Sequence, residues 1–564
     1  MARHFNVPLK GVYVANPGYV LAAAGVPRGA VATSLNGKSV TTLEDFERAL
    51  GDLADGDRAT LRFFALDDAR TPQLRVLHID RRWFPVRHCR RDDVAGWWPC
   101  RVLEAPAAAT PLLPASTTFA QTGDARADRV APSLVMINFE MPYSVSGVTE
   151  RNYHGTGVVV DAARGLVVTD RNTVPVAMGD VRLTFAGTIE VPGRVEYVHP
   201  LHNLAVISYD PRLIGTTPVR AVHFATREFE PGEEVWVVGL RPDQRVALQQ
   251  SRVASVEPAQ FPASRSGAFH DSNLDLVTLV NGPADFDGVI TDRAGDVRAL
   301  WSSFAFDTGR DLQQQNLGIP SAVVSELVDL VKSGRTLRSL EVDLQPVPLS
   351  VARKLGLDEV WVRRIESHSP ARRQVLAIGR VVAGSPAAKV LRPGDLLLAI
   401  NDKVVTRFRE VEAAAMAPAV RVTLLRDAAE ISVDVETAPL TGADVDRVVV
   451  WAGAVLQAPH RAMAVQRGVA PDGVLVSLYQ YGSPATRYGL WSGRRIVEVE
   501  GKQTPDLDAF IAAVAGREDR ASIRLKTLLW NDSIEVITLK LDKHYWPTYE
   551  LRRTPDGWSR RALD

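Results

Sequence analysis

The stretch Val280-Asn281-Gly282-Pro283-Ala284-Asp285-Phe286-Asp287-Gly288-Val289-Ile290-Thr291-Asp292-Arg293-Ala294-Gly295-Asp296-Val297-Arg298-Ala299-Leu300-Trp301 decides the fold. An Asn-Gly-Pro turn enters a short β-branched run, Ala294-Gly295-Asp296 reverses the chain, and a second apolar run leaves. Apolar, β-branched runs bounded by Gly, Pro, Asn and Asp read as strands joined by tight connections. The same grammar extends outward through Ser133–Asn138, Gly155–Val160, Leu166–Thr169, Leu204–Ser208, Glu234–Gly239 and Leu276–Val280. Many short strands of this kind predict a sandwich or barrel between about residues 130 and 320. A helix is expected to start at Pro320-Ser321, capped by one of the two, with Val324, Leu327, Val328 and Val331 on one face.

At 564 residues the chain has room for several domains. Its 66 basic and 66 acidic residues cancel, so no global field points to nucleic acid or to a cationic partner. An apolar content of 46% with 23% charged residues is that of soluble globular protein. No apolar run approaches the ~20 residues of a membrane span. Arg3 and Lys10 ahead of Gly11-Val12-Tyr13-Val14 imitate a weak signal peptide, but Pro17-Gly18 breaks the apolar segment, and a cytoplasmic location is expected. Cys89 and Cys100 match no zinc spacing and are too few for a disulfide scaffold, so they read as buried or incidental thiols. No cofactor and no metal site is expected.

Three segments share one pattern. Gly11-Val12-Tyr13-Val14 leads through Gly25 and Gly29 to Asn36-Gly37-Lys38, then to a helix carrying Leu43, Phe46 and Leu50. Gly384-Ser385-Pro386-Ala387-Ala388 leads through Gly394-Asp395 to Asn401-Asp402-Lys403. Gly473-Val474-Leu475-Val476 leads through Gly482-Ser483-Pro484-Ala485 and Gly493 to Glu500-Gly501-Lys502, with Phe510 in the place of Phe46. These segments resemble PDZ domains of the HtrA type. A longer repeat joins His78-Ile79-Asp80-Arg81-Arg82-Trp83-Phe84-Pro85 to Lys540-Leu541-Asp542-Lys543-His544-Tyr545-Trp546-Pro547. Such aromatic-Pro tails are expected to fold back on the preceding sheet and bury two rings each. Between Cys100 and Arg129 the composition turns to Ala, Pro, Ser and Thr, which reads as a linker.

The block between the first and second PDZ-like segments resembles the trypsin-like domain of HtrA proteases. On that frame Gly288 keeps the second glycine of the nucleophile motif, and the nucleophile's place falls on Phe286, whose ring has no lone pair to attack a carbonyl. The general-base histidine's place falls on Asn172 in Asp170-Arg171-Asn172-Thr173-Val174, and an amide does not titrate near neutrality. The orienting aspartate's place falls on Asn203 in His199-Pro200-Leu201-His202-Asn203-Leu204-Ala205-Val206, where no charge remains for an imidazolium. His154, His199 and His202 read as surface or satisfied histidines rather than a displaced base. Ser266, Ser272, Ser302 and Ser303 have no Gly-rich turn beside them to form an oxyanion hole. Asp285 and Asp287 suggest a metal site or an acid pair, against the plainer reading of a solvated turn. Asn316-Leu317-Gly318-Ile319-Pro320 resembles the segment that precedes the family's last protease helix.

The arrangement resembles the duplicated protease–PDZ–PDZ proteins of the fungal nuclear pro-apoptotic group, of which it matches the end of a first unit and a degenerate second unit. The expected fold is mainly β: a trypsin-like double β-barrel flanked by PDZ domains, each sandwich-like with two helices. Expected boundaries are 1–100 for a truncated PDZ with its tail, 101–130 for a linker, 131–336 for the degenerate protease domain, 337–440 for the second PDZ and 441–564 for the third. The resemblance implies a pseudoprotease that binds polypeptides as the scaffold or regulatory half of a protein quality-control protease. The alternative is an active HtrA-type serine endopeptidase. Expected partners are polypeptide C-termini or extended peptides, together with an active protease half or a second copy of the chain. Strand addition with carboxylate capture by backbone N–H groups selects Lys10, Gly11 and Val12, then Arg373, Gln374 and Val375, then Asp472, Gly473 and Val474. The Arg372-Arg373 pair would favour acidic peptides. The first PDZ copy lacks a counterpart of Leu340–Leu344, matching that region only from Ala2–Phe5, so an upstream strand and an upstream protease unit with an intact triad are expected.

Overall fold

The computed structural model describes residues 10–106, 111–148, 150–225, 227–259, 261–262, 269, 271–307, 312–555 and 557–563. Two compact units result, Met1–Pro114 with Trp558–Arg560, and Ala115–Gly557 with Arg561–Asp564. In the first, strands Val12–Tyr13, Ala30–Leu35, Arg58–Ala65 and Asp68–His78 lie in that order, and Lys38–Ser39 pairs with Ala30–Leu35. Alternation along Arg58–Ala65 sends Ala59, Leu61 and Phe63 into one core with Leu35 and Leu77. Helix Leu43–Gly51 begins at a capping box in which the Thr42 side chain accepts from the Asp45 N–H and Asp45 accepts from the Thr42 N–H. Trp83 of the tail is 0% exposed. The expectation of buried or incidental thiols is overturned: Cys89 and Cys100 form a disulfide across the hairpin Arg87–Cys89 and Cys100–Val102, and both residues are exposed.

The larger unit holds two closed antiparallel barrels. The first runs Leu166–Thr169, Ala205–Tyr209, Ile189–Val198, Asp180–Phe185, Leu134–Glu140, Asn152–Asp161 and back. The second runs Glu234–Leu240, Val246–Pro258, Asp275–Val280, Leu312–Pro320, Val297–Asp307, Asp287–Thr291 and back. Closure removes the sheet edges that so many short strands would otherwise expose. Helix Ser321–Ser333 buries Val324, Leu327 and Val328; Pro320 holds the N-cap position, as one of the two expected residues, but supplies no side-chain hydrogen bond, and Ser321 Oγ donates to Ala225 O at 2.7 Å. Its C-terminus stops at Gly334 in the left-handed conformation (φ 64°). The stretch read as linker ends in a helix, Ala125–Val130, capped by Asp124, which sends Ala127 and Val130 into the core beside the first barrel's Leu134. Apolar spacing over six residues was too short to reveal it.

The middle sheet runs Val342–Pro348, Gln374–Val381, Leu396–Ile400, Ala419–Arg426, Ala429–Glu436. The last one runs from Ile534–Lys540 through Ser522–Leu528, Arg495–Val499, Val474–Tyr479, Ala454–Gln457 and Arg447–Trp451 to the tail strand Tyr549–Thr554. The tail therefore docks by main-chain pairing, with Val448 opposite Leu551 and Val450 opposite Tyr549. Its aromatic pair does not: Tyr545 is 45% exposed and Trp546 is half-buried, which corrects the expectation of two buried rings.

Candidate functional site

Strand Leu166–Thr169 ends at Asp170, and the turn after it is fixed by Asp170, whose Oδ1 accepts from Thr173 N at 2.7 Å. This turn delivers Asn172 to the space between the barrels. Asn203 precedes strand Ala205–Tyr209; its Oδ1 accepts from Arg171 N at 2.8 Å and its Nδ2 donates to Ser303 O at 2.8 Å. Asn172 Nδ2 donates to Ser303 Oγ at 3.0 Å, and Gln314 Nε2 donates to the same oxygen at 2.5 Å. Asp170 Oδ2 accepts from Ser303 N at 2.9 Å. The structure thus brings Asn172 and Asn203 together around Ser303 of the second barrel.

The Phe286 ring is not part of that cluster, although the residue's carbonyl accepts from Asn316 Nδ2 at 3.3 Å. It is 5% exposed and packs with Val235, Val237, Leu279 and Trp301 in the core of the second barrel. Gly288 has a structural reason to persist, because a Cβ there would lie 2.1 Å from Val238 O. Its partner Gly239, directly opposite in the ladder, is equally constrained by Asp287 O at 1.8 Å.

Among the described residues the side chains bonded to Ser303 are those of Asn172, Gln314, Asn203 and Asp170, and none is a histidine. Ser303 Oγ is a hydrogen-bond acceptor from two amides, and an amide takes no proton at neutral pH. Asp170 is buried, which pushes its carboxyl up against the opposing pull of its bonds from Ser303 and Thr173. Asp287 is pushed up to about 8, first by burial and then by the Asp170 charge, with the Asn316 hydrogen bond opposing. Asn316 Nδ2 donates to Asp287 Oδ1 at 3.2 Å. The sequence paired Asp287 with Asp285, but Asp285 is exposed and bridges to Arg241 at 2.7 Å. Among the described residues no group of three or more His, Cys, Asp or Glu side chains could hold a metal ion. Sequence reasoning missed Asp170, Gln314 and Asn316 as members of this cleft; the Asp-Arg-Asn run was the signal for the first, the Asn-Leu-Gly-Ile-Pro segment for the third, and nothing local marks Gln314.

Of the buried pair His199 and His202, His199 bonds through its Nδ1, whereas His202 Nδ1 is buried with no hydrogen-bond partner among the described residues. His199 is buried, its Nδ1 accepts from Leu201 N and His202 N at 3.1 and 2.9 Å, and burial followed by the His202 charge holds its pKa well below the ordinary value. His202 is buried too; burial lowers its pKa, but Glu412 at 3.3 Å outweighs it and the net shift is upward. His154 is exposed. Ser266 lies outside the described residues, and Ser272 is buried, its N–H donating to Leu201 O.

Strand addition needs an unpaired edge. Gln374–Val381, which contains Gln374 and Val375, is paired on both sides, by Val342–Pro348 and Leu396–Ile400. The expectation that Arg373, Gln374 and Val375 receive a peptide is thereby corrected: the outer strand of that sheet is Val342–Pro348. Arg372 is held by Asp275 at 3.1 Å, and Arg373 Nε donates to Pro370 O. The strand starting at Val474 is likewise internal, the Gly473 N–H is spent on Pro505 O at 3.0 Å, and Asp472 is bonded to Arg495. In the first unit Gly11 N donates to Thr41 O at 3.0 Å, the equivalent bond, so Gly11 offers no free N–H to a carboxylate. Val12, however, sits on the sheet's outermost described strand, with Lys10 exposed ahead of it.

A double barrel followed by PDZ-type sheets, with a polar cleft between the barrels, defines the architecture of PDZ-containing trypsin-like proteases. A family model described as a PDZ domain matches residues 378–426. A PDZ domain-containing protein of Schizosaccharomyces pombe is 31% identical over 574 residues, covering 99% of this chain and 57% of that protein. Protease Do-like 7 of Arabidopsis thaliana is 30% identical over 700 residues, covering 100% of this chain and 64% of that protein. A pro-apoptotic serine protease of Coccidioides immitis is 29% identical over 576 residues, covering 99% and 56%. Over its whole length the chain is homologous to HtrA-like, or Do-like, serine proteases with PDZ domains. It spans little more than half the length of the curated relatives it matches.

Proposed function

We propose that this chain is a pseudoprotease of the HtrA-like family, acting as a polypeptide-binding scaffold or regulatory half in protein quality control. The observation that supports this best is the composition of the cleft. On the family frame Asn172 and Asn203 take the acid–base places, Phe286 is a core residue, and the Ser303 hydroxyl beside Asn172 accepts hydrogen bonds from two amides. A serine nucleophile needs a neighbour that takes its proton and a charge that stabilises the cation so formed; the two side chains bonded to Ser303 Oγ are amides, and the Asp170 carboxyl bonds the Ser303 N–H instead of the hydroxyl. Extended peptides or polypeptide C-termini are the partners, with an active protease half or a second copy as the assembly partner. The competing reading, an active endopeptidase, is favoured by the names of two relatives. Incubation of the purified chain with denatured casein and a fluorophosphonate probe separates the two. No turnover and no label are expected; inhibitor-sensitive turnover overturns the proposal.

A further inference from the structure

Val342–Pro348 is the outer strand of the middle PDZ sheet, and outer strands are where peptides add. Two consecutive main-chain groups of that strand are already engaged by a side chain from the barrel region. Asn273 Nδ2 donates to Val342 O at 2.8 Å, and Asn273 Oδ1 accepts from Leu344 N at 2.9 Å. A carboxamide carries one planar donor and one acceptor, the same pair of groups that a peptide unit of an added strand offers to a ladder.

Asn273 is held in position from both sides. Ser272 N donates to Leu201 O at 3.2 Å, and Leu274 O accepts from Ala259 N at 2.7 Å. Leu274 is buried in the barrel-side core. Asn273 itself is left-handed (φ 54°), a conformation that asparagine adopts more readily than most residues. The next acidic residue, Asp275, binds Arg372 at 3.1 Å and ties the same turn to the PDZ domain a second time.

We propose that Asn273 is a resident occupant of the middle PDZ domain's strand-adding edge, and that an extended peptide pairs with Val342–Pro348 only after this side chain withdraws. The inference rests on the polypeptide-binding reading above. It makes peptide capture by the middle domain compete with a contact to the barrel region, so ligand binding loosens that contact. Displacing two neutral hydrogen bonds weakens the apparent peptide affinity by roughly 5- to 100-fold.

The test uses the full chain and Asn273→Gly, since glycine keeps the left-handed backbone without strain. The probe is a fluorescein-labelled heptapeptide of alternating valine and threonine with a free C-terminus, read by anisotropy and by hydrogen exchange of residues 342–348. In the glycine variant without peptide, the Leu344 amide should exchange faster; with peptide, binding should tighten by roughly 5- to 100-fold and the 342–348 segment should gain protection. Equal affinity and equal protection in both chains overturn this inference alone. A gain in affinity without protection of 342–348 overturns it as well. Binding to neither chain overturns the polypeptide-binding reading and this inference with it.

Discussion

Replacing Phe286 by serine restores the family's nucleophile in name, and the structure says what it does in fact. The ring is 5% exposed and packed against Val235, Val237, Leu279 and Trp301. Removing a buried phenyl group costs about 3–5 kcal/mol, and a hydroxyl left in that apolar setting adds about 1–3 kcal/mol. Phe286→Ser should therefore lose about 4–8 kcal/mol, a large part of the about 5–15 kcal/mol that keeps a domain folded. It should gain no activity, because Asn172 still accepts no proton and Asn203 still brings no charge. Urea unfolding followed by tryptophan emission, which reports on Trp301 among others, measures the first expectation. Fluorophosphonate labelling and casein turnover measure the second. Phe286→Leu serves as the control that keeps most of the apolar volume and should lose far less. If Phe286→Ser unfolds at the parent's midpoint and takes the label, the residue faces the cleft and the core assignment is wrong.

Asp287 binds its proton up to about 8 in the fold, whereas an unfolded aspartate releases it near 4. The native state therefore holds the extra proton between those values, and this group's contribution to stability falls as pH rises through that window. Asp287→Asn should gain on the parent in melting temperature from about pH 5 to about pH 8; parallel curves would refute the burial argument. Trp83→Ala should cost about 3–5 kcal/mol in the first unit, whereas Tyr545→Ala should stay within about 0.5 kcal/mol, a contrast that denaturant titration of the two variants resolves. Alkylation before and after reduction should label Cys89 and Cys100 only after reduction, and reduction should weaken the first unit by at most about 3 kcal/mol; labelling without reductant would mean the thiols are free.

Much of the architecture was legible because it is written in local pattern. Alternating β-branched runs and their turns are short-range features, and they predicted a barrel or sandwich where two closed barrels stand. The likeness of the first and last sheets was visible through glycines that the turns require: Gly11 and Gly473 both have positive φ and make equivalent bonds, to Thr41 and Pro505. The strand signals also flank both asparagines, Asn172 after Leu166–Thr169 and Asn203 just before Ala205–Tyr209. What sequence could not supply was direction and neighbour. Phe286 turns inward because its ring gains more in the barrel core than in water, and Ser303 enters the cleft from a strand more than a hundred residues beyond Asn172. The strand starting at Gln374 looks like an open edge in one dimension, yet main-chain pairing with Val342–Pro348 closes it. Cys89 and Cys100 meet because a hairpin sets them opposite each other, and Tyr545 stays exposed because the tail docks through the backbone of Tyr549–Thr554. Periodicity along the chain determined which segments form strands. Only tertiary packing decided which faces of those strands are covered, because pairing and burial depend on partners distant in sequence.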